Sequence, residues 1–201
     1  MTTGGLIPAA FSRGTGGGGG PTTPTFTASA GLGTADATTG VLTLPGATVS
    51  TVWTDNPRLV AAGIITDLYN FRVEARIGAT SGGGANTYLP VAVRNASGNV
   101  AFLLQTSGLG QVSLHGAAGL IAVGPAGFPL GGTGSLKMTM TNGELVAWTK
   151  TAGGLYVPFY NGRPAFPASP ETYTSFTLSL FQGVGAAGSV SVTWADALYT
   201  A

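Results

Sequence analysis

The chain has 201 residues, 44% of them hydrophobic, enough for one domain with a sizeable core plus an appendage. Only 7% of the residues are charged and the formal net charge is +1, whereas an ordinary soluble domain is roughly a quarter charged. There is no cysteine and one histidine, His115. That excludes disulfides, thiolate metal sites and paired-histidine metal centres, and leaves acid–base chemistry few residue types to draw on. The eight Lys and Arg residues are scattered along the chain, so no row of phosphates is matched and nucleic acid is excluded as a partner. Met1 is followed by Thr-Thr-Gly-Gly, which predicts no secretory signal. The longest charge-free apolar stretch, 116–134, is interrupted by Pro125, Pro129 and several glycines, which predicts no membrane insertion.

Residues 1–24 read as a flexible arm. Gly16 to Gly20 is an unbroken glycine run between an apolar start and Pro21 and Pro24, too poor in apolar area to order itself. Its first part carries Leu6, Ile7 and Phe11. It is either a disordered tail or a tethered docking peptide with those three residues as the anchor.

Residues 25–201 form a single β-domain in this reading. Strands are predicted at 25–29, 41–44, 50–53, 58–65, 71–77, 88–94, 100–105 and 111–115, then at 119–123, 134–142, 144–150, 174–182 and 188–198. A short helical turn is conceivable only near 56–62. The clearest strand is 71–77, where Phe71, Val73, Ala75 and Ile77 alternate with Arg72, Glu74 and Arg76. Asn142-Gly143 between two alternating runs is a strong hairpin signal, because both turn positions require positive φ. Many short strands with Gly/Pro-rich turns imply an all-β fold, a β-sandwich or jelly roll.

The order of events over about residues 50–201 resembles the concanavalin-like jelly roll of laminin-G-type and legume-lectin-type domains. The resemblance rests on the 135–140 strand, the Asn142-Gly143 turn, the return through Glu144 to Trp148, and the closing run from Gly188 to Tyr199 with Trp194 and Asp196. The glycine- and threonine-rich arm ahead of a cysteine-free, charge-poor sandwich also resembles tailed-bacteriophage virion proteins. That second resemblance implies a decoration, fibre or tail component assembled in the host cytoplasm. Its partners would be other virion proteins and further copies of itself.

Some concanavalin-like sandwiches are glycoside hydrolases, which need two carboxylates flanking the scissile bond. Here Glu74, Glu144 and Glu171 are isolated in sequence, and Glu74 lies between Arg72 and Arg76, which stabilise its ionised form. His115 has no nucleophile motif around it and reads as a structural or surface residue. No cofactor and no metal is expected; Asp36, Asp55, Asn56 and Asp196 are scattered oxygens without a calcium-loop spacing. Asn95-Ala96-Ser97 matches a glycosylation acceptor but reads more simply as a turn. Trp53, Trp148 and Trp194 read as core or sheet-face residues.

The best candidate contact surface is the aromatic and proline-rich stretch 155–173. Tyr156, Phe159, Tyr160, Arg163 and Phe166 either contact a glycan or a protein, or cap the core. The expectation is a non-enzymatic virion structural protein, with a lectin-like module for cell-surface glycans as the alternative.

Overall fold

A computed structural model describes residues 20–46, 52–128, 134–184 and 188–200. The apolar anchor proposed at Leu6, Ile7 and Phe11 lies outside the described residues. In chain order the strands are β1 (Thr27–Ser29), β2 (Thr34–Asp36), β3 (Val41–Leu44), β4 (Arg58–Ala61), β5 (Phe71–Gly82), β6 (Thr87–Arg94), β7 (Val100–Ser107) and β8 (Val112–Gly116). They continue with β9 (Gly119–Val123), β10 (Gly134–Thr141), β11 (Glu144–Thr151), β12 (Val157–Gly162), β13 (Ser175–Ser179), β14 (Phe181–Gln182) and β15 (Val190–Thr200). Two antiparallel sheets result. One runs β1-β4-β13-β6-β7-β8-β9, with β14 also pairing β6; the other runs β12-β11-β10-β5-β15-β3-β2. The domain is an all-β jelly-roll sandwich, as expected from the spacing of the strands.

Period-two alternation decides which side chains the sheets enclose. On β5, Phe71, Val73, Ala75 and Ile77 are buried between the sheets, and Arg72, Glu74 and Arg76 fall on the outer face. Leu136, Met138 and Met140 of β10 and Val190, Val192 and Trp194 of β15 complete that wall. Leu89, Val91, Val93, Phe102, Leu104 and Leu114 form the facing one. The β10–β11 hairpin turns at Asn142-Gly143, with φ of 51° and 77°, as the sequence predicts. Its two amides donate to Asn70 Oδ1 (2.9 Å) and to the Tyr69 carbonyl (3.0 Å), tying the turn to the start of β5.

Two irregularities shape the sheets. Pro90, in an interior strand, sits where β6 pairs β13 through 91–94 and β14 through 87–88, so the missing N–H falls at the break between those partners. On β15 the register slips between Thr193 and Asp196. A Cβ on Gly78 would lie 2.6 Å from the Ala195 Cβ, so the absent side chain makes room for that bulge.

The sequence reading departs from the structure at several elements. Trp53 lies in a 3-10 turn, Trp53–Asp55, rather than in a strand. The strand expected over 58–65 is present as β4 over 58–61, and the helical turn conceivable near 56–62 does not form there. Strands β2 and β12 are not among those the sequence predicts, the latter because Pro158 and its neighbouring aromatics read as a loop. Thr22 exchanges two backbone hydrogen bonds of 2.8 Å with Tyr199.

Candidate functional site

The register of the seven-stranded sheet aligns its outer side chains in three rows. Opposite Arg76 lie Ser135 and then Lys150 on one side and Asp196 on the other. The next row holds Trp148, Lys137, Glu74 and Leu198, and the third holds Val146, Thr139, Arg72 and Thr200. Charges that are scattered in sequence thus converge. Four of the eight Lys and Arg residues and two of the seven Asp and Glu residues lie on this patch. The β15 bulge is part of the cause, because it shifts the alternation so that Asp196, Leu198 and Thr200 pair with Arg76, Glu74 and Arg72.

Glu74 is at the centre. It pairs with Arg72 at 2.5 Å, the single ion pair among the described residues, and its other oxygen accepts a hydrogen bond from the Tyr156 hydroxyl. Tyr156 reaches over the sheet from the segment just before β12. The Lys137 ammonium lies between two rings, 3.9 Å from the Tyr156 centroid and 4.3 Å from that of Trp148. Trp148 Nε1 donates to Thr139 Oγ1 at 3.3 Å, which fixes its indole on the face. Burial, and then the hydrogen bond to Glu74, push the Tyr156 phenol well above its ordinary value, so it keeps its proton through neutral pH. Burial and the neighbouring Arg72 lower the Lys137 ammonium.

Three depressions follow one another along β5. One of about 300 Å³ is lined by Arg72, Thr139 and Thr200. The middle one, of about 200 Å³, is lined by Glu74, Arg76, Lys150, Tyr156 and Asp196. The third, of about 210 Å³, has Arg76, Ser135, Lys150 and Thr151. At about 3.3 Å per strand residue, Arg72 and Arg76 are about 13 Å apart, so the three form a groove that suits an extended chain rather than a compact ligand.

Of the five residues singled out in 155–173, this groove takes Tyr156. Phe166 stacks on Tyr69 at 4.4 Å and meets Phe102 edge-on at 5.6 Å. Phe159 and Tyr160 pack against the core, with the Phe159 ring close over Gly124. Arg163 is exposed. Sequence reasoning missed Lys137, Trp148, Lys150 and Asp196 as members of one site. Each sits at an outward position of an alternating run, but only strand order makes them neighbours. His115 lies on the other sheet, half-buried, with Nε2 at 3.0 Å from Ser113 Oγ. The Asp36 carboxylate accepts from the Thr38 amide and the Thr39 hydroxyl, both at 2.8 Å, and caps its own turn.

No protein-family model and no curated protein sequence matches this chain. Solved structures do. An alginate lyase of polysaccharide lyase family 7 superposes with a TM-score of 0.54 at 10% identity, over 80% of this chain and 76% of that one. The alginate lyase from Klebsiella pneumoniae gives 0.51 at 14% identity, over 90% and 86%. A further family 7 alginate lyase gives 0.55 at 8% identity, over 80% and 78%. These likenesses correct two expectations. A non-enzymatic phage virion protein finds no counterpart among them, since the three are alginate lyases. The exclusion of catalysis on composition also falls. A low total of charged residues says nothing about their concentration, and here they are gathered around one tyrosine. At such low identity the likeness establishes the architecture: the chain has the concanavalin-like jelly-roll fold of the family 7 alginate lyases.

Proposed function

We propose that this chain is a carbohydrate-active protein that binds an acidic polysaccharide along the outer face of the seven-stranded sheet and cleaves it by β-elimination. The observation that carries the reading is the Tyr156–Glu74 hydrogen bond set in a groove with Arg72, Arg76, Lys137 and Lys150. The alginate-cleaving relatives in fold add support. Arg76 and Lys150 border the middle and third depressions together and neutralise a sugar carboxylate, which acidifies the adjacent C–H. The Tyr156 oxygen takes that proton as its own phenolic proton passes to Glu74. The electrons left on carbon form the C4–C5 double bond as the C4–O bond breaks. The proton then returns from Glu74 through Tyr156 to the departing oxygen, so the dyad ends as it began. Trp148 offers a flat face at the edge of the groove for a sugar ring.

The test is incubation of the full chain with alginate, following both retention on the polymer and the ultraviolet absorbance of the unsaturated product. The wild type is expected to do both. Tyr156→Phe should bind comparably and lose product formation by about a hundredfold or more, the usual worth of a proton-transferring group. Binding without product would leave the lectin-like module. Absence of both, on alginate and on other uronate polymers, would sink the proposal.

A further inference from the structure

The opposite face of the molecule carries a buried cation with no counter-ion among the described residues. Arg94, at the end of β6, is 8% exposed. Its guanidinium lies 4.1 Å from the centroid of Trp53 and donates to the Gly98 carbonyl at 2.6 Å, while its Nε has no hydrogen-bond partner among the described residues. The charge nearest in effect is another arginine. Arg58 lies 4.6 Å from the same indole, and its Nη1 donates to the carbonyls of Trp53, Thr54 and Asn56. Burial, then the charge of Arg58, lower the Arg94 guanidinium to about 10. A buried cation without a carboxylate beside it is costly, and proteins usually pair such a group.

The surroundings narrow what would pair it. A depression of about 210 Å³ is lined by Arg94, Asn56, Gln105, Pro90, Leu103 and Phe181. Asn56 is 6% exposed, and its Oδ1 accepts no hydrogen bond from the described residues. Gln105 is half-buried, with its amide nitrogen 3.3 Å from Ser113 Oγ. The lining therefore combines a cation, an unused acceptor, an amide, and the flat apolar surfaces of Phe181 and Pro90. A uronic acid answers all four at once, with a carboxylate, hydroxyl donors, a hydroxyl acceptor and a C–H ring face.

We propose that this depression on the outer face of the eight-stranded sheet, between Trp53, Arg94 and Gln105, is a second saccharide site that takes the carboxylate-bearing ring of an acidic sugar. It lies on the sheet opposite the Tyr156 groove. The anion site stands on Arg94 by itself, with Asn56 Oδ1 left to accept from a sugar hydroxyl; only the choice of a sugar as the carrier of the carboxylate leans on the function proposed above.

The probe is sodium D-glucuronate, titrated into the full chain labelled with nitrogen-15. The side-chain Nε–H signal of Arg94 and the indole N–H of Trp53 report this face. The signals of Tyr156 and Lys137 report the other. Saturable shifts of Arg94 and Trp53 are expected, absent with D-glucose and with sodium chloride at equal ionic strength. Gln105→Ala, a change at a half-buried surface position, should weaken the response about fivefold, the loss of one hydrogen bond. Shifts confined to Tyr156 and Lys137 would overturn the second site and leave the proposed function standing. No shift at Arg94, an equal shift with glucose or chloride, or an unchanged response in Gln105→Ala would overturn it as well.

Discussion

His115 is half-buried among Ser113 and Gln105 on the outer face of the eight-stranded sheet, and burial holds its pKa below the ordinary 6.5. The unfolded chain therefore takes up the proton first. The stability this residue confers is complete above pH 6.5 and is lost as the pH falls from there through the lower folded-state value. The expected result is a melting temperature that declines on acidification below pH 6.5 and is flattened in His115→Asn. An equal decline in that variant would assign the effect elsewhere. Asp36 and Asp67 are both held below 3.8 by their own turn hydrogen bonds, so their contribution fades only in stronger acid. At this scale the sequence was legible in part. Residue type and alternation place Arg72, Glu74 and Arg76 on one face of a strand, but Tyr156 is 82 positions from its partner Glu74, a separation that no local pattern encodes.

The β10–β11 hairpin shows how an element can be read directly from its residues. Asn142 is the only non-glycine with positive φ among the described residues, and Gly143 follows it, so the turn chemistry matches the twist of the strands it joins. A Cβ at Gly143 meets nothing closer than 3.5 Å. Gly143→Ala should therefore cost only the left-handed backbone, about 1–2 kcal/mol, read as a lower urea midpoint with an unchanged slope. β12 shows the opposite case. Its residues, Val157 to Gly162, include Pro158 and two aromatics, and the strand exists because β11 offers it an edge, with a register shift at Ala147/Trp148. Edge strands tolerate proline because only one side of the backbone must be bonded. That tolerance hides them from composition.

For the whole molecule, the two sheets are held together by inward side chains, and Trp194 is the largest of those fully buried. Its indole N–H has no hydrogen-bond partner among the described residues. Trp194→Ala should cost about 3–5 kcal/mol through the cavity it leaves. Trp194→Phe should cost much less, because it also removes an unsatisfied donor. Chemical denaturation of both variants beside the wild type checks this, and equal losses would show that the donor is satisfied in solution. The same scale explains the error about catalysis. Composition averages over the surface, and an average of 7% charged residues is compatible with one dense patch when strand order brings separate segments together.

The sequence by itself determined the all-β class, the inward faces of the long strands and the Asn142-Gly143 turn. Each is set by interactions within a few residues, namely side-chain alternation and the φ preference of turn residues. Only the tertiary structure decided that Ser135, Lys137, Trp148, Lys150 and Asp196 join Arg72, Glu74 and Arg76 beneath Tyr156. Strand order, cross-strand register and the bulge at 193–196 are long-range choices. They are made by which faces bury best against each other, and a one-residue slip would turn the whole patch inward.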